Sequence, residues 1–214
     1  MVLFVDTCEE TKQLMANVLG IGGSPRKDGN SDILLDRVLQ GARQAGATTE
    51  AVQLRDLSFQ SCIGCERCRR DKRCTGLQDD MQGVYPMVER SRGIVAVSPI
   101  HGYTVSALVK AFIDRLYCYY DFAEPRPGPV ASRLAGQGRQ GVIVAVGEQS
   151  SWEFGGMDST LAILRRNLDF LGFQVIGELP VLGVFERAKV LKRPEMLAAA
   201  EELGSNLGRL LNEI

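Results

Sequence analysis

A run rich in glycine, serine and asparagine, residues 22–31, could bind an anion. It follows the apolar residues 18–21 and precedes a helical pattern that places Leu34, Leu35 and Val38 on one face. The first N–H groups of a helix have no partner within the helix, and the helix dipole adds partial positive charge at this end. We therefore predict that the run binds a phosphate monoester. Four of its side chains could donate hydrogen bonds to such a ligand: Ser24, Arg26, Asn30 and Ser31.

The run lacks the features of four other sites for phosphate chemistry. Pro25 stands at the third position of the fingerprint that a dinucleotide-binding loop fills with glycine. The Gly-Lys-Ser/Thr ending of a P-loop is missing, and glycines stand where a receiver domain would carry acidic residues. No cysteine of the chain has arginine six positions later, which excludes a C-x5-R phosphatase. An ordinary strand–helix turn without a ligand remains the alternative.

Four of the six cysteines lie within thirteen residues, in the pattern Cys62-x2-Cys65-x2-Cys68-x5-Cys74. In a reducing compartment such density predicts metal or redox chemistry rather than structural disulfides. A structural zinc site usually pairs two C-x2-C knuckles across a longer spacer, which this run lacks. Three cysteines at successive x2 spacings favour a 4Fe–4S cluster, although the fourth spacing differs from the ferredoxin pattern and no proline follows. Free or disulfide-forming thiols and a zinc ion remain alternatives.

The cysteine run is also basic. A cluster held by four thiolates has net negative charge, so adjacent cations would stabilise it. The same cations could dock an acidic electron-transfer partner, and a solvated loop without a partner is the alternative. The run carries five cations against two carboxylates: Arg67, Arg69, Arg70, Lys72 and Arg73 against Glu66 and Asp71.

The composition excludes several classes of partner. The chain has 214 residues and a formal net charge of −1, so no excess of charge points to nucleic acid or to a membrane surface. No apolar run approaches the ~20 residues of a membrane-spanning helix. We expect a cytoplasmic protein, in which the two isolated cysteines, Cys8 and Cys118, are buried apolar residues.

Apolar runs alternate with helical patterns along the chain, and five strand–helix repeats predict an α/β fold with a doubly wound, five-stranded parallel sheet. Predicted strands lie at 17–22, 49–54, 93–98, 141–146 and 173–182. Predicted helices lie at 31–45, 79–90, 104–120, 159–171 and 194–213. We divide the chain into an N-terminal extension, 1–15, and one domain, 16–214, with a cysteine-rich insert at 60–76.

Several ordered motifs resemble those of the flavodoxin-like FMN reductases. They are GSPRKDGNS at 23–31, the cysteine run, DDM at 79–81, SPIHGY at 98–103 and KAFIDR at 110–115. Within that group, the four cysteines are similar to those of the iron–sulfur flavoproteins. The resemblance implies a flavodoxin-like fold with strand order 2-1-3-4-5 and FMN bound between strands one and three. It also implies that Cys62, Cys65, Cys68 and Cys74 hold a 4Fe–4S cluster.

The same resemblance implies roles for the remaining site residues, and the chain departs from the family's pattern at one of them. His101 stands where relatives commonly carry tyrosine, and it is the candidate catalytic residue because it could hydrogen-bond the flavin or substrate. A ring that points to solvent is the alternative for His101. The FMN phosphate would be held by Ser24, Arg26, Asn30 and Ser31, and the isoalloxazine would lie along Pro99, Ile100, His101, Gly102 and Tyr103.

A third loop, 147–156, begins with Gly147 after the fourth predicted strand and also suits a flavin. Reduced flavin gathers negative charge at N1 and O2, and the backbone N–H groups of Gly155 and Gly156 could stabilise that charge. Trp152 or Phe154 could form a wall of the ring site or pack between subunits.

These features leave two classes of function open. The first is an FMN-dependent oxidoreductase that passes electrons between a 4Fe–4S cluster and FMN, with a ferredoxin-like protein or NAD(P)H as donor and a small molecule as acceptor. The alternative is an NAD(P)H-dependent FMN or quinone reductase without a cluster, or a redox carrier or sensor without its own substrate. Three features exceed what a core of this size needs to bury: the aromatic residues at 117–122, Trp152 and the unplaced segment 1–15. We therefore expect a homodimer or homotetramer.

Overall fold

Five parallel strands form the centre of the structure, a computed structural model that describes residues 17–152 and 154–213. The strands of the structure are β1 Asn17–Gly22, β2 Thr48–Gln53, β3 Gly93–His101, β4 Thr104–Val105, β5 Tyr120–Phe122, β6 Val130–Ser132, β7 Arg139–Val146 and β8 Phe173–Val181. The parallel strands pair in the order β2-β1-β3-β7-β8, which confirms the predicted order and fold class. The predicted extension 1–15, with Cys8, lies outside the described residues.

Helices cover both faces of the sheet. The helices are α1 Asn30–Gln44, α2 Arg67–Asp71, α3 Met81–Arg90, α4 Ala107–Arg115, α5 Met157–Leu171 and α6 Pro194–Asn212. α1 and α6 bury their apolar residues against one face, and α3, α4 and α5 bury theirs against the other. The continuous apolar runs of β3 and β7 are buried from both sides, as parallel central strands require. No helix of the described ranges is long and apolar enough to cross a membrane.

The prediction of one helix over 104–120 is wrong in its extent. The chain folds back after β3, so Thr104–Val105 pairs antiparallel with that strand. The Ser106 hydroxyl then accepts a hydrogen bond from the N–H of Val109 and caps α4, which fixes the start of the helix at Ala107. After Arg115 the chain tightens into a 3-10 turn, Leu116–Tyr119, and enters a hairpin of β5 and β6 that the sequence patterns did not predict.

The helix predicted at 79–90 begins two residues later. Asp79 accepts a hydrogen bond from the N–H of Met81, so this residue precedes α3 rather than joining it. The cysteine-rich insert contains one short helix, α2, between left-handed residues at Glu66 and Lys72.

Candidate functional site

A cleft of about 370 Å³ lies at the carboxyl ends of β1, β3 and β7. Ligands of open α/β sheets bind where neighbouring strands lead to opposite sides of the sheet, and β1 and β3 meet at that point here. The cleft brings together residues from four stretches of the chain, within 24–31, 99–102, 146–148 and 184–187. Eight residues of the predicted flavin site line it: Ser24, Arg26, Asn30, Ser31, Pro99, Ile100, His101 and Gly102.

The segment between β1 and α1 has a tight backbone turn and an uncapped helix end. The nearly buried Ser24 hydroxyl accepts a hydrogen bond of 3.1 Å from the N–H of Arg26, which tightens the turn. Gly29 is the N-cap of α1, and no side chain of the described residues caps this helix. The first turn of α1 therefore keeps backbone donors for an anion in the cleft, which Gly29, Asn30 and Ser31 line.

Two of the predicted phosphate ligands also hold a second segment, residues 184–190, against the cleft. The Asn30 amide donates to the carbonyl of Glu186 at 3.0 Å and accepts from the N–H of Val190 at 2.9 Å. Arg26 donates to the carbonyl of Phe185 at 3.1 Å, and its guanidinium lies 4.8 Å from the centre of the Phe185 ring. The sequence patterns missed this segment, which follows β8 and forms one wall of the cleft.

A largely buried arginine after β2 supports the same turn. The Nη1 atom of Arg55 lies 3.2 Å from the carbonyl oxygen of Ser24 and 3.4 Å from that of Arg26. It also lies 2.9 Å from Oδ1 of Asp32 and 3.1 Å from the Gln53 side chain. The Arg55 side chain is only 13% exposed, so this cation acts on the turn largely out of water.

The end of β3 forms a tight hairpin that presents His101 and Tyr103. His101 pairs with Thr104, and the two turn residues, Gly102 and Tyr103, have φ angles of 55° and 66°. Two successive positive φ angles identify a type I′ turn. A positive φ is rare for a bulky aromatic residue such as Tyr103. Both His101 and Tyr103 are exposed, so the ring of His101 is open to a ligand and to solvent alike.

The loop after β7 packs against this hairpin. A Cβ on Gly156 would lie 2.3 Å from the carbonyl oxygen of Tyr103, so only glycine permits this approach. Tyr103 and Gly155 line a further cavity of about 180 Å³, which adjoins the main cleft because both are lined by Ile100 and Gly102. The N–H of Gly147 donates to Val181 at 2.8 Å and is therefore committed to the fold.

Ser106 ties the hairpin to the turn after β1. Its hydroxyl donates to the carbonyl of Gly23 at 2.6 Å while it caps α4. Its N–H donates to the Ser98 hydroxyl at 3.1 Å. One serine therefore holds both loops of the cleft and the start of α4 in a fixed relation.

The four clustered cysteines line one cavity of about 270 Å³, formed by residues 62–77 and the end of α4. Cys62 and Cys65 are exposed, whereas Cys68 and Cys74 are half-buried. Burial, and then the proximity of the other three thiols, raises the pKa of Cys68 above its ordinary value. Within the described ranges no three side chains of His, Cys, Asp or Glu converge as they would on one metal ion. Cys118 is buried at the same cavity, as expected, and burial raises its pKa to about 12.

Arg115 is buried beside this cavity. It forms a bidentate pair with Asp79, with N–O distances of 2.6 and 2.9 Å, and its Nη2 atom lies 3.7 Å from Sγ of Cys74. Burial acts to raise the pKa of Asp79, but hydrogen bonds from Arg115 and from the backbone of Gln60 and Met81 outweigh it, so this pKa is lowered.

The β5–β6 hairpin covers the cysteine-bearing segment through ion pairs. Arg126 pairs with Glu66 at 2.9 Å, and Lys72 pairs with Asp121. The Arg69 guanidinium lies 4.4 Å from the centre of the ring of Phe122. Several cations that the sequence suggested for docking are therefore engaged within the chain.

Comparison with known proteins identifies the family. Residues 16–184 match the family NADPH-dependent FMN reductase. The chain belongs to this family. An iron–sulfur flavoprotein of Methanocaldococcus jannaschii is 29% identical over 75% of this chain and 76% of its own length. An iron–sulfur flavoprotein of Archaeoglobus fulgidus is 36% identical over 47% of this chain and 46% of its own length. The solved structure of an NAD(P)H:quinone oxidoreductase from Methanothermobacter marburgensis superposes on this chain with a TM-score of 0.70 and is 19% identical to it. The match covers 90% of this chain and 99% of that one.

As a member of the FMN reductase family, the chain is an FMN-dependent oxidoreductase. The residues predicted to bind FMN lie around one continuous cleft, apart from Gly147 and Gly156, which support its walls. Sequence reasoning missed three supporting residues. Ser106 had a signal, since a serine before an apolar helix predicts an N-cap. Arg115 belongs to the KAFIDR motif, but nothing near Arg55 in the sequence indicated its role.

Proposed function

We propose that this FMN-dependent oxidoreductase also holds a 4Fe–4S cluster on Cys62, Cys65, Cys68 and Cys74, and exchanges electrons between cluster and FMN. The observation that carries the proposal is that all four thiols line one cavity. A cubane cluster is bound by thiolates spread around it, whereas a single zinc ion draws its ligands to one point. The shared cavity and the successive x2 spacings of the first three cysteines together support a cluster over zinc.

The surroundings of the thiols suit such a group. The N–H of Gly64 donates to Sγ of Cys62 at 3.4 Å, which is the kind of hydrogen bond that stabilises cluster sulfurs. A Cβ on Gly76 would lie 2.4 Å from Sγ of Cys65, so a glycine keeps this side of the cavity open. The buried cation of Arg115 offsets part of the negative charge that four thiolates bring.

In the cleft, we assign the FMN phosphate to the start of α1, with Ser24, Arg26, Asn30 and Ser31 around it. The isoalloxazine lies along Pro99–Tyr103 in this proposal, with the Gly155–Gly156 backbone at its pyrimidine side. FMN, when bound, accepts or donates electrons singly or as a hydride pair. In this proposal the exposed side chain of His101 donates a hydrogen bond to flavin or substrate.

The two sites are joined by α4. Ser106, before its first residue, contacts the turn of the cleft, and Arg115, its last residue, contacts the cysteine cavity. Nine residues of helix span about 13 Å at ~1.5 Å each, which sets the scale of the separation. A ferredoxin-like protein as donor fits a cluster near the surface, with a small molecule as acceptor at the flavin.

Three large apolar or aromatic side chains around these openings are exposed: Ile63, Phe154 and Tyr103. Such exposure favours a homodimer or homotetramer.

Purification without oxygen tests the proposal. The protein is expected to show both flavin and iron–sulfur absorption, with about four iron atoms per chain. Cys68→Ser should retain FMN and fold but lose or destabilise the iron. The control is Cys118→Ala, which removes a thiol from the same cavity wall and should keep the iron. Full iron content in Cys68→Ser would contradict the ligand assignment.

A wild-type protein with FMN and no iron that oxidises NAD(P)H with a quinone would instead support the alternative function. Turnover assays with NADH, NADPH and a reduced ferredoxin-like protein identify the donor in either case.

A further inference from the structure

Arg115 is a buried cation that the binding of FMN does not explain. Its side chain is 1% exposed, and a buried charge is costly unless it is paired. Asp79 supplies the pairing through both carboxylate oxygens. An apolar pair of similar size could fill this space, so the ion pair points to a role in addition to packing.

The guanidinium is held in one orientation from several sides. Its Nη1 atom donates to Asp79 and to the carbonyl of Gln60 at 2.8 Å. Its Nε donates to the hydroxyl of Tyr85 at 3.1 Å. The remaining nitrogen, Nη2, lies between Asp79 and Sγ of Cys74, and at 3.7 Å it is within hydrogen-bonding distance of the sulfur. The network therefore aims one N–H at a predicted cluster ligand.

We propose that Arg115 is a positioning residue that raises the reduction potential of the cluster through Cys74, an inference that rests on the proposed function. A cluster held by these thiolates would take one electron from the ferredoxin-like donor, gain one negative charge without breaking a bond, and pass that electron to FMN. A nearby cation and an N–H···S hydrogen bond stabilise the reduced form more than the oxidised form. Asp79 opposes this effect, because its carboxylate neutralises part of the positive charge.

The test is a redox titration of anaerobically purified holoprotein, in which cluster and FMN are followed by their separate absorption bands. Arg115→Lys keeps the charge near Asp79 but loses the planar fork, so it cannot hold Asp79 and reach Cys74 together. We expect the reduction equilibrium of the cluster to shift about tenfold toward the oxidised form, which is a potential about 59 mV lower for a one-electron couple. Asp79→Asn keeps Arg115 and removes the opposing charge, so it should raise the potential.

Arg133→Lys is the matched control. Arg133 donates to the carbonyls of Lys72 and Cys118 beside the same cavity, and neither hydrogen bond involves one of the four thiols. Its replacement should leave the potential of the cluster within a twofold shift of the equilibrium. The potential of FMN should be unchanged in all three variants.

The outcomes separate this inference from the proposed function. A wild-type protein without iron overturns the cluster and the inference together. A wild-type protein with iron, and an Arg115→Lys variant with the wild-type potential, overturns the inference alone. If Arg115→Lys does not fold, Asp79→Asn decides, because an unchanged or lower potential in that variant contradicts the role of the charge. A shift in the same direction in both variants means that the pair only packs the core.

Discussion

Replacing Arg55 by alanine is expected to weaken FMN binding ten- to a hundredfold while the domain stays folded. Arg55 does not line the cleft, so the effect would act through the turn that it supports. The turn carries Ser24 and Arg26, whose carbonyl oxygens both lie within 3.4 Å of the Arg55 Nη1 atom.

The magnitude follows from the contacts. The Nη1 atom has two hydrogens for four acceptors, of which the Asp32 carboxylate at 2.9 Å is the closest. A hydrogen bond to a charged group contributes about 1.5–3 kcal/mol, and removing one partner leaves Asp32 poorly solvated. We expect the free energy of unfolding to fall by about 2–4 kcal/mol. If FMN must order the turn that Arg55 ordered, about 1.4–2.8 kcal/mol of binding free energy is lost, which is ten- to a hundredfold in Kd.

The assay is a titration of apoprotein with FMN, followed by quenching of flavin fluorescence, together with urea unfolding of the same preparation. Arg43→Ala is the control, because Arg43 is an exposed arginine that donates to Thr49 away from the cleft. The double variant Arg55→Ala/Asp32→Asn removes the unpaired carboxylate and should recover part of the stability but not the affinity for FMN. An FMN affinity within twofold of wild type in Arg55→Ala would refute the reasoning, even if stability falls.

Three further predictions concern the supporting structure. Gly156→Ala should weaken FMN binding and destabilise the protein by more than Gly136→Ala. Both glycines have a φ of 73°, for which the strained backbone costs about 1–2 kcal/mol, but a Cβ meets the Tyr103 backbone only at 156. Equal losses of stability of the two variants in urea would count against the contact. Arg126→Ala should lower the free energy of unfolding by less than about 1 kcal/mol, because the ion pair of Arg126 with Glu66 is half-exposed. This loss should shrink in high salt. A larger loss that does not depend on salt would show another role for Arg126. The lowered pKa of Asp79 means that its contribution to stability is present above the ordinary carboxyl pKa of about 4 and is lost as the pH falls through its folded value. Asp79→Asn should therefore be less stable at neutral pH and show a shallower loss of stability in acid, and unchanged acid unfolding would contradict the assignment.

The parallel sheet was predictable because its information is local. Continuous apolar runs such as those of β3 and β7 identify strands that are buried on both faces, and the helical periodicity after each run identifies the crossovers. The right-handed rule for such crossovers then restricts the topology. The turn that precedes α1 was also predictable, because glycine, serine and asparagine at a helix start have a direct physical meaning. The close spacing of the four cysteines likewise indicated a shared site, because residues three positions apart in the chain lie within about 11 Å of each other even when it is extended.

The hairpin at the end of β3 was not predictable from periodicity. Residues 104–120 carry an apolar pattern that suits a helix, and the true start of α4 depends on Ser106, whose hydroxyl also reaches Gly23 on another strand's turn. The competing turn at Gly102–Tyr103 is stabilised by the packing of Gly156 against it. Contacts between loops far apart in the chain outweighed the local preference for helix.

The surroundings of both sites were decided only by the tertiary structure. Arg55 contacts Asp32, 23 residues away in the chain, and Arg115 contacts Gln60, 55 residues away. Phe185 contacts Arg26 across 159 residues. A single arginine in a sequence gives no sign of whether it will be solvated or buried against a carboxylate, because that depends on which segments the crossovers bring together.

The sequence by itself therefore determined the sheet, the glycine-rich turn that leads into α1 and the set of clustered thiols. Each of these depends on residues that are close together in the chain, and hydrophobic periodicity or spacing reports them directly. The tertiary structure alone decided which cations and carbonyls surround the two sites, since burial and orientation arise only when distant elements pack.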